Sequence, residues 1–116
     1  MTSETLQFIV MVDGDADEVA LLRCVLKNLP DAVRLKAHSC DVRGNWLEIW
    51  QNEDADPNLA ENDDDGYLYY RWRVELTPMG GTVDEDHQVE LARALIGAFE
   101  RADGRAVVLA NFEDRV

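Results

Sequence analysis

Apolar positions along the chain fall into short blocks with two different periods. Leu6 to Val12 is a nearly unbroken apolar run ending at Asp13-Gly14, which predicts a buried strand closed by a turn. A helix is expected next, from about Ala16 to Leu29. Val19, Leu22, Leu26 and Leu29 recur at helical spacing, and Ala20, Leu21 and Val25 widen the stripe. Asp15 supplies its N-cap, with Glu18 as capping-box partner, and Pro30-Asp31 ends it.

The period then drops to two. Val33, Leu35 and Ala37 alternate with Arg34, Lys36 and His38, predicting one strand over Val33 to Cys40. A turn over Asp41 to Asn45 returns Trp46 to Gln51 as its hairpin partner. Glu53 to Gly66 carries seven acids and no base, and reads as a long loop. Tyr67 to Leu76 alternates again. Leu68, Tyr70, Trp72, Val74 and Leu76 are expected on the inner face, and Tyr67, Tyr69, Arg71, Arg73 and Glu75 on the outer one. After Thr77-Pro-Met-Gly-Gly, Thr82 with Glu85 opens a second helix running to about Ala102, with Val89, Ala92, Leu95, Ile96 and Phe99 as its stripe. Asp103-Gly104 stops it, and Ala106 to Phe112 forms a closing strand.

The expected order is β-α-β-β-β-α-β in a single α+β domain spanning residues 1–116. Two helices on one face of a mixed sheet would make a two-layer sandwich, a ferredoxin-like variant with an added strand. Fold alone assigns no activity.

Charge changes the picture most. Asp and Glu number 24 against 11 Lys and Arg, a formal net charge of −13. Such a field repels phosphate backbones and anionic lipids, so nucleic-acid and membrane partners are not expected, and encounter with a basic protein is favoured. The longest uninterrupted apolar run, Phe8 to Val12, is far short of the roughly 20 residues that cross a bilayer. Met1 to Gln7 has no signal-peptide character, which leads to a cytoplasmic expectation. Two cysteines, Cys24 and Cys40, give neither a disulfide framework nor a zinc quartet.

Three places carry candidate chemistry. Asp13-Gly14-Asp15, directly after an apolar strand, resembles the opening motif of haloacid-dehalogenase-type phosphatases. The resemblance implies that Asp13 attacks phosphorus, that Asp15 serves as acid/base, and that both help hold magnesium. It covers about ten residues. Asp17 replaces the usual Thr or Val, and the later Lys and acidic pair have no counterpart on parallel strands. A turn with a helix N-cap accounts for the same residues.

The second place is the acidic loop with Asp54, Asp56, Asp63, Asp64 and Asp65. Its Asp54-x-Asp56-x-Asn58 start is calcium-like, but Leu59 stands where Gly is needed and Asp65 where a bidentate Glu is needed. A solvated loop accounts for these acids, and docking to a basic partner stands beside it. The third is an outer sheet face with Trp46, Trp50, Tyr67, Tyr69, Arg71 and Arg73, an aromatic-plus-arginine patch of the kind that makes contacts.

His38 and His87 lack motif partners. Met79-Gly80-Gly81-Thr82 before a helix has the form of an anion-binding turn. No catalytic set, metal site or cofactor emerges. The leading expectation is a non-enzymatic acidic interaction module, of inhibitor, immunity or regulatory type, with a basic protein partner. Two alternatives stand beside it: a binder of, or enzyme acting on, anionic small molecules through the aromatic and arginine face, and a homodimer built on that face.

Overall fold

The computed structural model describes residues 6–79 and 83–116. Among them, six strands and three α-helices build an α+β fold on one antiparallel sheet. The elements are β1 (Phe8–Asp13), α1 (Glu18–Asn28), β2 (Val33–Lys36), β3 (Ser39–Val42), β4 (Asn45–Gln51), α2 (Pro57–Asn62), β5 (Trp72–Pro78), α3 (Glu85–Arg101) and β6 (Arg105–Leu109). Single 3₁₀ turns cover Gly66–Tyr69 and Glu113–Arg115.

The strand order is β2-β3-β4-β5-β1-β6, and every pairing is antiparallel. The expectation of a mixed sheet fails for a topological reason. A β-α-β start invites parallel neighbours, yet β1 does not lie beside β2. Instead it sits between β5 and β6, both of which run the other way. The expected order is one strand short, because Val33 to Cys40 is two strands. Lys36 pairs with Ser39 across a tight turn at Ala37-His38, with an irregularity after Arg34. Alternation alone cannot show a turn that contains no Gly, Pro, Asn or Asp. The second hairpin turn, Arg43-Gly44, has φ values of 49° and 77°, the left-handed pair that matches strand twist.

Both long helices lie on one face. From α1 and its C-cap Leu29, Leu21, Leu22, Val25 and Leu29 join Phe8, Val10, Val12, Leu47, Ile49, Trp72, Val74 and Leu76 of the sheet in one core. From α3, Val89, Leu91, Ala92, Leu95, Ala98 and Phe99 join the same core, closed by Phe112 edge-on to Phe8 at 5.6 Å. The stripe expected for α1 is rotated. Val19 is 47% exposed, and Asp17, not Asp15, caps the helix by accepting from the Ala20 amide at 2.8 Å. The cap of α3 is Asp84, which accepts from the His87 amide. The expected cap at Thr82 and the turn at Gly80-Gly81 lie outside the described residues.

The acidic stretch is not a plain loop. Asp56 accepts from the amides of Asn58 and Leu59, Pro57 follows at the first helical position, and α2 forms. This third helix sits on the opposite sheet face. There Ala60, Tyr70 and Met11 make a second small core, with Ile9, Tyr67, Tyr69, Val107 and Leu109 around it. The strand expected from Tyr67 therefore begins only at Trp72. Its parity holds there, with Trp72, Val74 and Leu76 inward, and fails before it: Leu68 is 44% exposed, and Tyr70 is buried on the far side.

Gly66 fixes how closely α2 meets the following turn, since a Cβ there would stand 2.5 Å from the Ala60 carbonyl oxygen. Gly66→Ala should cost about 1–3 kcal/mol, as forced overpacking does, read as a lower urea midpoint. An unchanged midpoint would mean that the turn yields freely.

Among the described residues the buried polar side chains are Ser39, Asn45 and Gln88. Asn45 and Gln88 are fully buried and face each other, each donating its side-chain amide to the other's carbonyl at 2.8–2.9 Å. Gln88 also donates to the Leu6 carbonyl at 2.9 Å, which joins α3 to the chain entering β1. Among the described residues no helix is long and apolar enough to cross a membrane.

Candidate functional site

The end of β1 is where the fold concentrates charge. Asp13 is the last residue of a strand placed between β5 and β6, so its carboxylate meets the first residue of β6 and the residue just before β5. One oxygen accepts from the Arg105 guanidinium of β6 at 2.7 Å, and the other accepts from the Arg71 amide at 3.3 Å. Gly14 then turns the chain with φ of 142°, and a Cβ there would press on Gly104. From the α2 side, Glu61 reaches Arg105 at 3.0 Å.

The result is a cleft of about 560 Å³ lined by Asp13, Gly14, Asp15, Ala55, Asp56, Pro57, Glu61, Tyr69, Arg71, Asp103 and Arg105. Arg105 lies over the Tyr70 ring at 5.1 Å, and Arg71 lies over Trp72 at 4.9 Å. The Asp13 hydrogen bond, followed by the charge of Glu61, holds Arg105 above the ordinary arginine range. Asp103 enters through a left-handed residue at the end of α3, with φ of 62°. Among the described residues neither Asp15 nor Asp103 has an ion-pair partner.

The phosphatase-like motif is thus folded into this cleft, with a different local chemistry. Asp13 has both oxygens engaged by the protein itself, which leaves it poorly placed to attack a substrate. Among the described residues no three His, Cys, Asp or Glu side chains gather as a metal site.

The remaining candidate residues divide. Asp56, Tyr69 and Arg71 line the cleft. Asp54, Trp50 and Arg73 line a separate groove of about 290 Å³ on the open sheet face, where Arg73 pairs with Glu75 at 2.8 Å and His38 packs 5.5 Å from Trp50. Trp46 lies two positions along β4 from Glu48, opposite Thr77, with its indole nitrogen buried and unpartnered. Tyr67 is half-buried in the small core under α2. Asp63, Asp64 and Asp65 are exposed after α2, where Asp63 accepts from the Asp65 amide. Tyr69 and Arg71 thus line the cleft, whereas Trp50 and Arg73, paired across β4 and β5, line the second groove.

Asp103 and Arg105 escaped sequence reasoning, and Glu61 stood only among the acids of the loop. Asp103-Gly104 showed only a helix stop, and the meeting of Asp13 with Arg105 follows from strand register, which composition does not carry. The Asp56-Pro57 pair was a readable helix start. The two thiols are quiet: burial pushes Cys40 up to about 11 and raises Cys24 as well.

Comparison with protein-family models, with curated proteins and with solved structures finds no match to this chain.

Proposed function

We propose that the chain is a non-enzymatic binding module that takes a basic, arginine-bearing segment of a protein partner at the cleft beside Asp13. The supporting observation is the way this cleft already holds a guanidinium. Arg105 lies between Asp13 at 2.7 Å and Glu61 at 3.0 Å, above the Tyr70 ring. Two carboxylates and an aromatic face are the groups that recognise arginine. Asp15, Asp56 and Asp103 add carboxylates on the same lining, so five acids face two arginines and the cleft keeps surplus negative charge. The net charge of −13 steers a basic partner toward it.

We read the order β6-β1-β5-β4, with α1 and α3 on one face, as a two-layer, ferredoxin-like arrangement extended by the β2-β3 edge. We place the protein in the cytoplasm, where Cys24 and Cys40 would stay reduced.

The test is binding of an arginine-rich peptide, followed by fluorescence anisotropy at low and at physiological salt. Affinity should fall as salt rises. Asp15→Asn with Asp103→Asn should weaken it by about 3- to 10-fold, the scale of two partly exposed charge contacts. Asn tolerates the left-handed conformation at 103, so the fold is kept. Asp63→Asn with Asp64→Asn removes equal charge outside the cleft and should change affinity less than about twofold. Equal losses in the two double variants would reduce the effect to bulk acidity and sink this reading.

A further inference from the structure

A second groove, of about 360 Å³, runs between α1 and α3 on the side of those helices away from the sheet. Arg23 and Lys27 from α1 and Arg101 from α3 line it, in a chain with more than twice as many acids as bases. Five of the eleven basic residues lie within ion-pairing distance of a carboxylate, yet none of these three does among the described residues.

That arrangement has an energetic cost. Arg23 and Lys27 are four apart on one helix face, a like-charge pair that disfavours the helix. Lys27 and Arg101 lie in the last turns of their helices and gain from the negative end of the macrodipole. Arg23, in the middle of α1, gains nothing of the kind. Lys27, Arg101 and Cys24 line the same groove, so the charges of the two helices share one space.

The groove floor is also fixed. The Cys24 thiol donates to the Ala98 carbonyl at 3.1 Å, and the Asn28 amide donates to the Cys24 carbonyl at 2.8 Å. Unpaired cations above a set, partly apolar floor match an anion with a small organic body. The groove is the size of a small-molecule site. A long polyanion would also face the protein's overall negative field, whereas a small ligand meets mainly the local cations. Guanidinium groups favour phosphate oxygens, which they can bind in pairs.

We propose that the α1–α3 groove binds a small phosphate-bearing molecule, held by Arg23, Lys27 and Arg101. The site is separate from the Asp13 cleft and does not depend on the reading of that cleft.

Pyrophosphate is the probe. At ~10 mM, against sodium chloride of equal ionic strength, it should raise Tm by about 5 °C if the site binds near ~1 mM. Arg23→Gln with Arg101→Gln, both at exposed positions, should reduce the rise below about 1 °C. Arg34→Gln with Lys36→Gln removes two other cations that lack a carboxylate partner and should leave the rise intact. Amide shift mapping on the parent chain should centre on Cys24 and Ala98. No rise over the chloride control, a rise that survives in the Arg23/Arg101 variant, an equal loss in the Arg34/Lys36 variant, or amide shifts centred elsewhere would each overturn the proposal.

Discussion

Phe99→Ala should leave the protein about 3–5 kcal/mol less stable, the usual cost of deleting a fully buried aromatic ring. Phe99 is 0% exposed and packs from α3 into the core shared by α1 and the sheet. The loss combines the transfer free energy of the ring with the cavity left behind, which α3 cannot close without shifting its whole packed face. Against a typical total of about 5–15 kcal/mol this is a fifth or more of the fold's stability. Urea unfolding should show a lower midpoint at unchanged slope. Ile96→Ala, on the half-buried flank of the same helix, should cost distinctly less. A Phe99→Ala loss below about 1 kcal/mol would show that α3 is not packed as described.

The second large effect is expected from Gln88→Met, which keeps length and volume but removes the amide. Gln88 donates to Asn45 at 2.8 Å and to the Leu6 carbonyl at 2.9 Å, and accepts from Asn45 at 2.9 Å. Asn45 and Gln88 are fully buried, so water cannot replace the bonds between them, whereas the bond to Leu6 is partly buried. Leaving the Asn45 side-chain oxygen and nitrogen each short of a partner should cost about 2–5 kcal/mol, at about 1–3 kcal/mol per unsatisfied group. The decisive measurement is a double-mutant cycle with Asn45→Ala. The combined variant should lose less than the sum of the singles, by about 1–3 kcal/mol, since the second change removes a group that the first has stranded. Strict additivity would mean that the amides act independently.

Gln88 marks where the sequence is readable and where it is not. Its neighbours Val89, Ala92, Leu95 and Phe99 repeat at helical spacing, and that spacing placed α3 and its buried face. A glutamine beside that stripe looks like solvent-facing polarity until a partner 43 residues away in sequence is known. The same division holds elsewhere. Trp72, Val74 and Leu76 alternate because one side of β5 is core, so their inward direction is legible from the pattern. Tyr67 and Tyr69 continue the alternation in the sequence but sit in a 3₁₀ turn, where tertiary contact with Ala60 and Met11 overrides β-propensity. Local pattern gives the elements. Which strand lies beside which decides the candidate site, because only the central place of β1 brings Asp13 to Arg71 and Arg105.

The edge at β2 carries its own consequence. Val33 and Leu35 are 61% and 46% exposed on a strand whose outer backbone has no partner strand among the described residues. Such an edge is a template for aggregation, and three features blunt it: a length of four residues, the irregularity after Arg34, and the charges of Arg34 and Lys36. These two bases are therefore placed where they discourage unwanted pairing.

The position of β1 also bears on how the chain reaches this state. Ile9 pairs with Glu75 on one side and with Leu109 on the other. Long loops must close before the middle of the sheet is sealed, and such non-local pairing slows folding relative to a helical bundle. On a ribosome β1 would emerge well before β5 and β6, and its two edges would stay unsealed until those strands followed.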